Sequence, residues 1–274
     1  MYRIVQKDKL NDIVERMVIH APYVARKCEP GQFVMVRVED NGERIPLTIA
    51  DFNREQETVT VIYQVVGFTT KLLSQKEEGQ YLLDFAGPLG RPVEPKACRR
   101  VIGIAGGVGA APLYPQLRQY ASIGTRVDVI LGGRSSDFVI LEDLFGEICE
   151  NIHVVTNDGT AGIQGFVTDV LSKLLDDGNI YDEAIAIGPL AMMKAVVGLT
   201  KPRGIPTGVS LNPIMIDGTG MCGGCRVTVG GATKFACVDG PDFDGWEVDF
   251  YECIRRQGMY KEMEAHVCQI GLGG

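Results

Sequence analysis

Short apolar or alternating runs, separated by turn residues, fill the first third of the chain. They cover residues 16–20, 33–38, 47–50, 58–64 and 81–85. Turn signals such as Glu29-Pro30-Gly31 and Asn41-Gly42 lie between them, and a helical stretch at 69–74 interrupts the series. Several short strands at this spacing are typical of a small antiparallel barrel. We therefore predict a β-barrel domain over residues 1–97.

The pattern changes after residue 98 to strands that alternate with helices. The predicted strands are 101–105, 127–131, 152–156, 184–187 and 209–211. Residues 166–175 carry apolar side chains at helical spacing. Alternating strands and helices indicate a doubly wound parallel sheet, so we predict an α/β domain over residues 98–208.

The last segment, residues 209–274, is rich in glycine and cysteine and shows little periodicity. Its main motif is Asp217-Gly-Thr-Gly-Met-Cys222-Gly-Gly-Cys225, followed by Cys237. Iron–sulfur loops of the plant type use four cysteines with the first two separated by four residues, and Asp217 stands where the first would be. We predict a small [2Fe–2S] domain with Asp217, Cys222, Cys225 and Cys237 as ligands. The tail from Asp249 is predicted to form a helix that packs back on the body.

The cysteine motif is also compatible with zinc or with a disulfide. A Cys-x-x-Cys pair binds zinc in many proteins, and His266 could complete such a site. The same pair could instead form a redox disulfide. The motif by itself therefore leaves three kinds of site open.

Composition narrows the classes of function. The chain has 274 residues, of which 45% are hydrophobic and 23% are charged, and a net charge of −8. This acidic balance argues against a nucleic-acid partner. The sequence has no run of about 18 apolar residues, so we predict no membrane span. The N-terminal residues also lack the apolar core of a signal peptide. With eight cysteines and no secretion signal, we expect a cytoplasmic protein.

Glycine-rich turns follow the predicted strands of the second domain. Gly106-Gly107-Val108-Gly109-Ala110-Ala111-Pro112 follows the first strand and leads into a helix, an arrangement typical of dinucleotide binding. Turns after parallel strands meet at one edge of a sheet. The predicted NAD(P)-binding residues are Gly106, Gly107, Gly109, Ala110, Pro112, Gly133, Arg134, Asn157, Asp158, Gly188 and Pro189. Arg134 leaves a 2′-phosphate, and hence NADP(H), open.

Two turns of the barrel suit a flavin nucleotide. Arg44 can pair with a phosphate and the Thr48 hydroxyl can reach a flavin ring edge. The Gly67–Thr70 turn starts a helix and suits a second anion contact, although an ordinary turn and cap would look the same. The predicted FAD-binding residues are Arg44, Pro46, Leu47, Thr48, Tyr63, Gly67, Thr69 and Thr70.

Taken together, these motifs resemble the ferredoxin–NADP reductase superfamily. Gly67 and Thr70 match its Gly-x-x-Ser/Thr motif, and residues 106–112 match Gly-Gly-x-Gly-x-x-Pro in full. Arg44 and Thr48 follow its Arg-x-Tyr-Ser/Thr motif loosely, with the arginine one residue further away. The added cysteine loop is similar to that of the dihydroorotate dehydrogenase electron-transfer subunits. Asp217 makes the chain most similar to the small (alpha) subunits of NADH-dependent reduced ferredoxin:NADP oxidoreductase, also described as sulfide dehydrogenase beta subunits.

This resemblance implies FAD, a [2Fe–2S] cluster and NAD(H) as cofactors, with no catalytic side chain required. It implies hydride exchange between NAD(H) and FAD, and single electrons passing through the cluster to a large partner. That partner would be a glutamate-synthase-like subunit carrying FAD and [4Fe–4S] clusters, in which electron bifurcation takes place. The alternatives are a dihydroorotate dehydrogenase electron-transfer subunit, a hydrogenase diaphorase subunit, or a non-enzymatic NAD-binding module with a structural zinc loop.

Overall fold

The computed structural model describes residues 1–259. His266, Cys268 and the end of the predicted tail helix lie outside the described residues. Among residues 1–259, no helix combines the length and the apolar character needed to cross a membrane.

The first unit is an antiparallel sheet of seven strands curled into a half-barrel. The strands are β1 (Tyr2–Lys9), β2 (Val14–His20), β3 (Phe33–Arg37), β4 (Arg44–Asn53), β5 (Thr58–Gln64), β6 (Tyr81–Leu82) and β7 (Asp84–Leu89). Their order is β6-β1-β2-β5-β4-β3-β7. The two edge strands, β6 and β7, are separated in the chain by Leu83 alone, so the sheet curls until its edges come close together. Helices α1 (Pro22–Lys27) and α2 (Phe68–Ser74) pack beside it.

Alternation along the strands fills the barrel interior. Ile4, Met17, Val59 and Val61 are all fully or almost fully buried in one apolar cluster. Because side chains alternate across a strand, Ile62 faces the opposite side and packs against the second unit. The barrel therefore has one apolar face inside and a second apolar patch towards its neighbour.

The second unit is a mainly parallel sheet. Its strands are β8 (Arg100–Gly106), β9 (Arg126–Gly133), β10 (Asn151–Thr156), β11 (Ile163–Gln164), β12 (Glu183–Ile187) and β13 (Thr207–Ser210). Its helices are α3 (Ala110–Ser122), α4 (Glu142–Gly146), α5 (Val167–Asp176) and α6 (Leu190–Thr200), with short 3₁₀ turns at Gly107–Gly109, Ser136–Phe138 and Lys201–Arg203. The order β11-β10-β9-β8-β12-β13 reverses direction beside β8, which creates a topological switch point between β8 and β12.

The C-terminal segment joins this sheet. It contains β14 (Arg226–Val229), β15 (Ala232–Phe235), α7 (Ala236–Asp239), β16 (Asp242–Asp244) and α8 (Phe250–Gln257). Strand β16 pairs antiparallel with β13, so it extends the α/β sheet at its edge. The predicted boundary after residue 208 falls inside β13, whereas the one after residue 97 falls between β7 and β8. The domain limits stay predictions.

The predicted barrel, doubly wound sheet and C-terminal cysteine-rich segment are all present. Strand β1 and helix α1 were missed, because β1 has mostly polar residues on its outer side and α1 has only six residues. The predicted strand 81–85 is divided into β6 and β7. The predicted tail helix is confirmed as far as Gln257, and its Phe250 and Cys253 pack on the body.

Candidate functional site

A cleft of about 630 Å³ lies between the barrel and the carboxyl edge of the parallel sheet. This volume is within the range of sites for cofactors and other small molecules. The barrel contributes five predicted FAD-binding residues: Pro46, Leu47, Thr48, Tyr63 and Thr70. The sheet contributes nine predicted NAD(P)-binding residues: Gly106, Gly107, Gly109, Pro112, Gly133, Arg134, Asn157, Gly188 and Pro189. The structure thus brings both predicted nucleotide sites into one cleft.

Five predicted residues are not among those that line the cleft: Arg44, Gly67, Thr69, Ala110 and Asp158. Arg44 is paired with Asp84 at 3.3 Å, and Thr69 and Ala110 are buried. Asp158 accepts hydrogen bonds from the Thr160 hydroxyl at 2.7 Å and the Thr160 amide at 3.0 Å. These hydrogen bonds lower the pKa of Asp158. The roles of all five stay predictions.

The turn after β8 requires glycine for two physical reasons. Gly107 has φ +55°, a conformation that favours glycine, and a Cβ there would meet nothing within 4 Å. The backbone at Gly107 is therefore open to a ligand. A Cβ on Gly109 would lie 2.2 Å from the Ile187 carbonyl oxygen, because α3 starts directly against the end of β12. Close helix–strand packing at the switch point is what a dinucleotide phosphate site needs.

The barrel side of the cleft includes the turn before α2. The Thr70 hydroxyl accepts hydrogen bonds from the Val66 and Gly67 amides, both at 3.0 Å. It also lies 3.0 Å from the Gly67 carbonyl oxygen, to which it can donate. A Cβ on Gly67 would meet nothing within 4 Å, so this turn too leaves room for a ligand. The residues present on both sides of the cleft fit a dinucleotide and a flavin nucleotide.

Two of the predicted metal ligands form a buried thiol pair. The Sγ atoms of Cys225 and Cys237 lie 3.1 Å apart, and each residue is 1% exposed. Burial is the larger cause and the hydrogen bond with Cys225 the second, and together they raise the pKa of Cys237 to about 12. Iron would have to replace this proton, because thiolates rather than thiols bind metals.

The other two predicted ligands are adjacent: Cys222 is exposed and Asp217 is half-buried. The Asp217 carboxylate accepts the Thr219 amide through Oδ1 and the Cys222 amide through Oδ2, each at 2.8 Å. The backbone hydrogen bonds from Thr219 and then from Cys222 lower the pKa of Asp217, so it is ionised at neutral pH. The Gly224 amide points at Cys222 Sγ at 3.4 Å, and such N–H···S contacts are typical of iron–sulfur sites.

The four predicted ligands therefore form two pairs rather than one tight group. Within residues 1–259, no group of three or more His, Cys, Asp or Glu side chains forms a site for a single metal ion. A donor set of three sulfurs and one carboxylate, arranged two and two, fits a cluster of two irons.

The cleft and the buried cluster that contains the thiol pair have two residues in common. Phe33 and Met215 line the cleft, and both also belong to the buried cluster that contains Cys225 and Cys237. Cys225 and Cys237 thus belong to the buried cluster that forms part of the wall of the cleft.

Comparisons with known proteins agree with this arrangement. Residues 212–249 match the family model described as the iron–sulfur cluster binding domain of dihydroorotate dehydrogenase B. An "uncharacterized protein in adh 3′ region" of Clostridium beijerinckii is 50% identical over 272 residues, covering 96% of this chain and 92% of that protein. A dihydroorotate dehydrogenase B (NAD(+)) electron transfer subunit homolog of Thermotoga maritima is 46% identical over 261 residues, covering 95% and 92%. The chain belongs to the dihydroorotate dehydrogenase B electron-transfer-subunit family.

A solved structure of this type is very similar. It comes from work on flavin-based electron bifurcation in NADH-dependent reduced ferredoxin-NADP oxidoreductase. Its chain superimposes with a TM-score of 0.94 at 44% identity, covering 99% of this chain and 98% of that one. The predicted fold and family resemblance are confirmed. So are the expectations of an oxidoreductase electron-transfer subunit and of FAD, NAD(P) and an iron–sulfur cluster as cofactor classes.

Sequence reasoning missed two kinds of residue in or next to the cleft. Phe33 and Met215 have no polar side-chain group and look like ordinary core residues in the sequence. Glu15 reaches the cleft through Tyr63, whose hydroxyl donates to Glu15 Oε2 at 2.7 Å, and Lys7 Nζ lies 3.6 Å from the same carboxylate oxygen. Alternation along β2 could have shown that Glu15 and Arg16 face opposite sides of the sheet.

Proposed function

We propose that this protein is the electron-transfer subunit of a bifurcating NADH-dependent ferredoxin:NADP oxidoreductase. The observation that carries the proposal is the shared wall: Phe33 and Met215 line the nucleotide cleft and belong to the same buried cluster as the Cys225–Cys237 pair. When bound, FAD would exchange a hydride with NAD(H), and the [2Fe–2S] cluster would carry single electrons. The 44% identity to the bifurcating oxidoreductase chain supports the choice of enzyme.

The chain's own residues would position the cofactors. Thr48 and Thr70 would bind FAD from the barrel, and the turns at Gly106–Pro112 and Gly188 would accept the dinucleotide phosphates from the sheet. Arg134 at the end of β9 would meet the adenosine end of the nucleotide. Asp217 and Cys222 would bind one iron, and Cys225 and Cys237 the other. The apolar wall of Phe33 and Met215 would exclude water between the two redox groups.

As an electron-transfer subunit, the protein would act with a larger partner. We propose a glutamate-synthase-like subunit that carries FAD and [4Fe–4S] clusters, in a heterodimer. The seven described cysteines are all free thiols, which fits a cytoplasmic location.

A dihydroorotate dehydrogenase subunit is the second candidate, favoured by the family model over residues 212–249. Asp217 separates the two, because the loop of the dihydroorotate dehydrogenase subunits that this chain resembles normally has a cysteine at that position. The zinc-loop alternative has no support from the family match, which is to an iron–sulfur domain.

The test is an anaerobic NADH titration of the reconstituted full chain, monitored by visible absorbance and by electron paramagnetic resonance. We expect flavin bleaching together with an iron–sulfur signal in the wild type. Cys225→Ser should keep the flavin response and lose or alter the paramagnetic signal. Cys28→Ser is the matched control, since Cys28 is equally buried but lies in the barrel core.

Wild-type protein that contains neither flavin nor acid-labile sulfide after reconstitution would contradict the proposal. Equal effects of the two cysteine variants would remove Cys225 from the ligand set. Co-purification of the native complex then separates the two candidates by the partner's flavin and metal content.

A further inference from the structure

A buried ion pair lies inside the barrel, where only apolar side chains would be expected. Glu15 is 4% exposed, and its Oε2 lies 3.6 Å from Lys7 Nζ. In the antiparallel sheet Glu15 lies directly opposite Tyr63 on β5 and diagonal to Lys7 on β1. A buried ion pair costs desolvation energy that an apolar pair would avoid. We therefore look for a role of this pair other than stability.

Lys7 also contacts the far end of α2. Its Nζ donates to the Ser74 carbonyl and, at 2.9 Å, to the Lys76 carbonyl. These are carbonyl groups at the C-terminal end of the helix, where a cation is electrostatically favourable. One ammonium group thus joins Glu15 to the end of α2.

The two contacts hold both ends of a single segment. Tyr63, the last but one residue of β5, is fixed by its hydrogen bond to Glu15, and Ser74 and Lys76 are fixed by Lys7. Between them lies the Gly67–Thr70 turn, with Thr70 facing the cleft. The series of side-chain contacts from Tyr63 through Glu15 to Lys7 therefore determines how far this turn can move relative to the barrel wall.

We infer that Lys7 and Glu15 are positioning residues for FAD, acting through Tyr63 and α2 on the turn that faces the flavin nucleotide. This inference rests on the proposed function, because it assigns the cleft between β5, α2 and the sheet to FAD. Neither residue lines the cleft itself.

The chain contains a natural control for this arrangement. Tyr181 donates to Asp128 at 2.9 Å, and Asp128 is paired with Arg100 at 2.6 Å. Tyr181 and Asp128 are also buried, so this is a second series of cation, carboxylate and tyrosine. Tyr181, however, does not line the cleft. Tyr63→Phe and Tyr181→Phe thus each remove a tyrosine hydroxyl that donates to a buried carboxylate.

The experiment measures the FAD dissociation constant of the full chain by flavin fluorescence, together with the thermal midpoint of each variant. Losing a hydrogen bond to a buried carboxylate should raise the constant for Tyr63→Phe on the order of tenfold. Tyr181→Phe should leave it within about twofold, although both variants lose thermal stability.

A second variant guards against misfolding. Lys7→Met alone leaves Glu15 charged and unpaired, so the double variant Lys7→Met/Glu15→Gln is used, in which the amide oxygen can still accept from Tyr63. It should also weaken FAD binding and shift the visible circular dichroism of the bound flavin, because α2 has lost its cation.

Equal dissociation constants for wild type and Tyr63→Phe, or equal losses in the two tyrosine variants, would overturn the positioning role while leaving the proposed function intact. A wild-type chain that binds no FAD would overturn both.

Discussion

Asp217 is the residue that most distinguishes the cluster loop of this chain in chemical terms. Its carboxylate already accepts two backbone amides, which fix the loop between Asp217 and Cys222. A carboxylate is a weaker electron donor to iron than a thiolate, so it should change the potential of the cluster. The second lone pair on each oxygen leaves it able to bind iron as well.

Substituting Asp217 should separate its two roles. Asp217→Cys is expected to retain a cluster with a shifted reduction potential, and Asp217→Ala to lose or strongly alter it. Potentiometric titration followed by paramagnetic resonance provides the measurement.

Asp239→Ala is the matched control for loop order, because Asp239 also accepts a backbone amide, from Phe235 at 2.8 Å, in the neighbouring turn. If Asp217→Ala keeps the wild-type spectrum and potential, Asp217 does not bind iron.

At the scale of elements, the turn between β8 and α3 is the predicted site of the dinucleotide phosphates. The sequence motif predicted the turn, and the structure explains why the third glycine cannot change: the Ile187 carbonyl on β12 occupies the space of a Cβ at Gly109. Backbone atoms cannot move away as a flexible side chain can.

Gly109→Ala should therefore displace the start of α3 and weaken NADH binding by roughly tenfold or more, at a stability cost of about 1–3 kcal/mol from overpacking. Isothermal calorimetry with NADH and chemical unfolding are the measurements.

Gly198→Ala is the control, since a Cβ at this position in the last turn of α6 would meet nothing within 4 Å and alanine is the better helix former. It should leave NADH affinity unchanged. An unaltered affinity in Gly109→Ala would show that the phosphates do not bind at this turn.

At the scale of the whole molecule, Asp242 lies where all three parts of the chain meet. Its Oδ1 accepts from Gln116 on α3 at 3.2 Å, and its Oδ2 lies near Gly31 of the barrel. Within residues 1–259 the buried Oδ2 has no hydrogen-bond partner. Burial raises the pKa of Asp242 to about 7, against which the hydrogen bonds from Gln116 and Ser210 act only partly.

This raised pKa predicts a pH dependence of stability. The unfolded chain releases the Asp242 proton near pH 3.8 and the folded chain near 7, so the contribution of Asp242 to stability falls as pH rises between these values. Above about pH 7 the cost of burying the ionised Asp242 carboxylate is fully present, and it lowers the free energy of unfolding by at most about 4 kcal/mol.

Asp242→Asn should remove the penalty, so that its free energy of unfolding exceeds that of the wild type at about pH 8 and equals it near pH 4. Urea unfolding across this range tests the sign. Asp244→Asn, two residues along the same strand and exposed, should leave the pH profile unchanged. A wild-type profile that rises from about pH 4 to pH 7 in parallel with that of Asp242→Asn would refute the assignment.

The sequence alone determined the features that depend on local pattern. Strand alternation gave the barrel, the strand–helix alternation gave the parallel sheet, and the spacing of Cys222, Cys225 and Cys237 gave the cluster loop, because each signal is written in neighbouring residues. Tertiary structure alone decided what depends on contacts between distant segments. Phe33 and Met215 join the cleft to the thiol pair, Lys7 reaches α2, Asp84 pairs with Arg44, and β16 completes the second sheet. Residues far apart in the chain carry no shared pattern, so only the packing of the folded chain could bring them together.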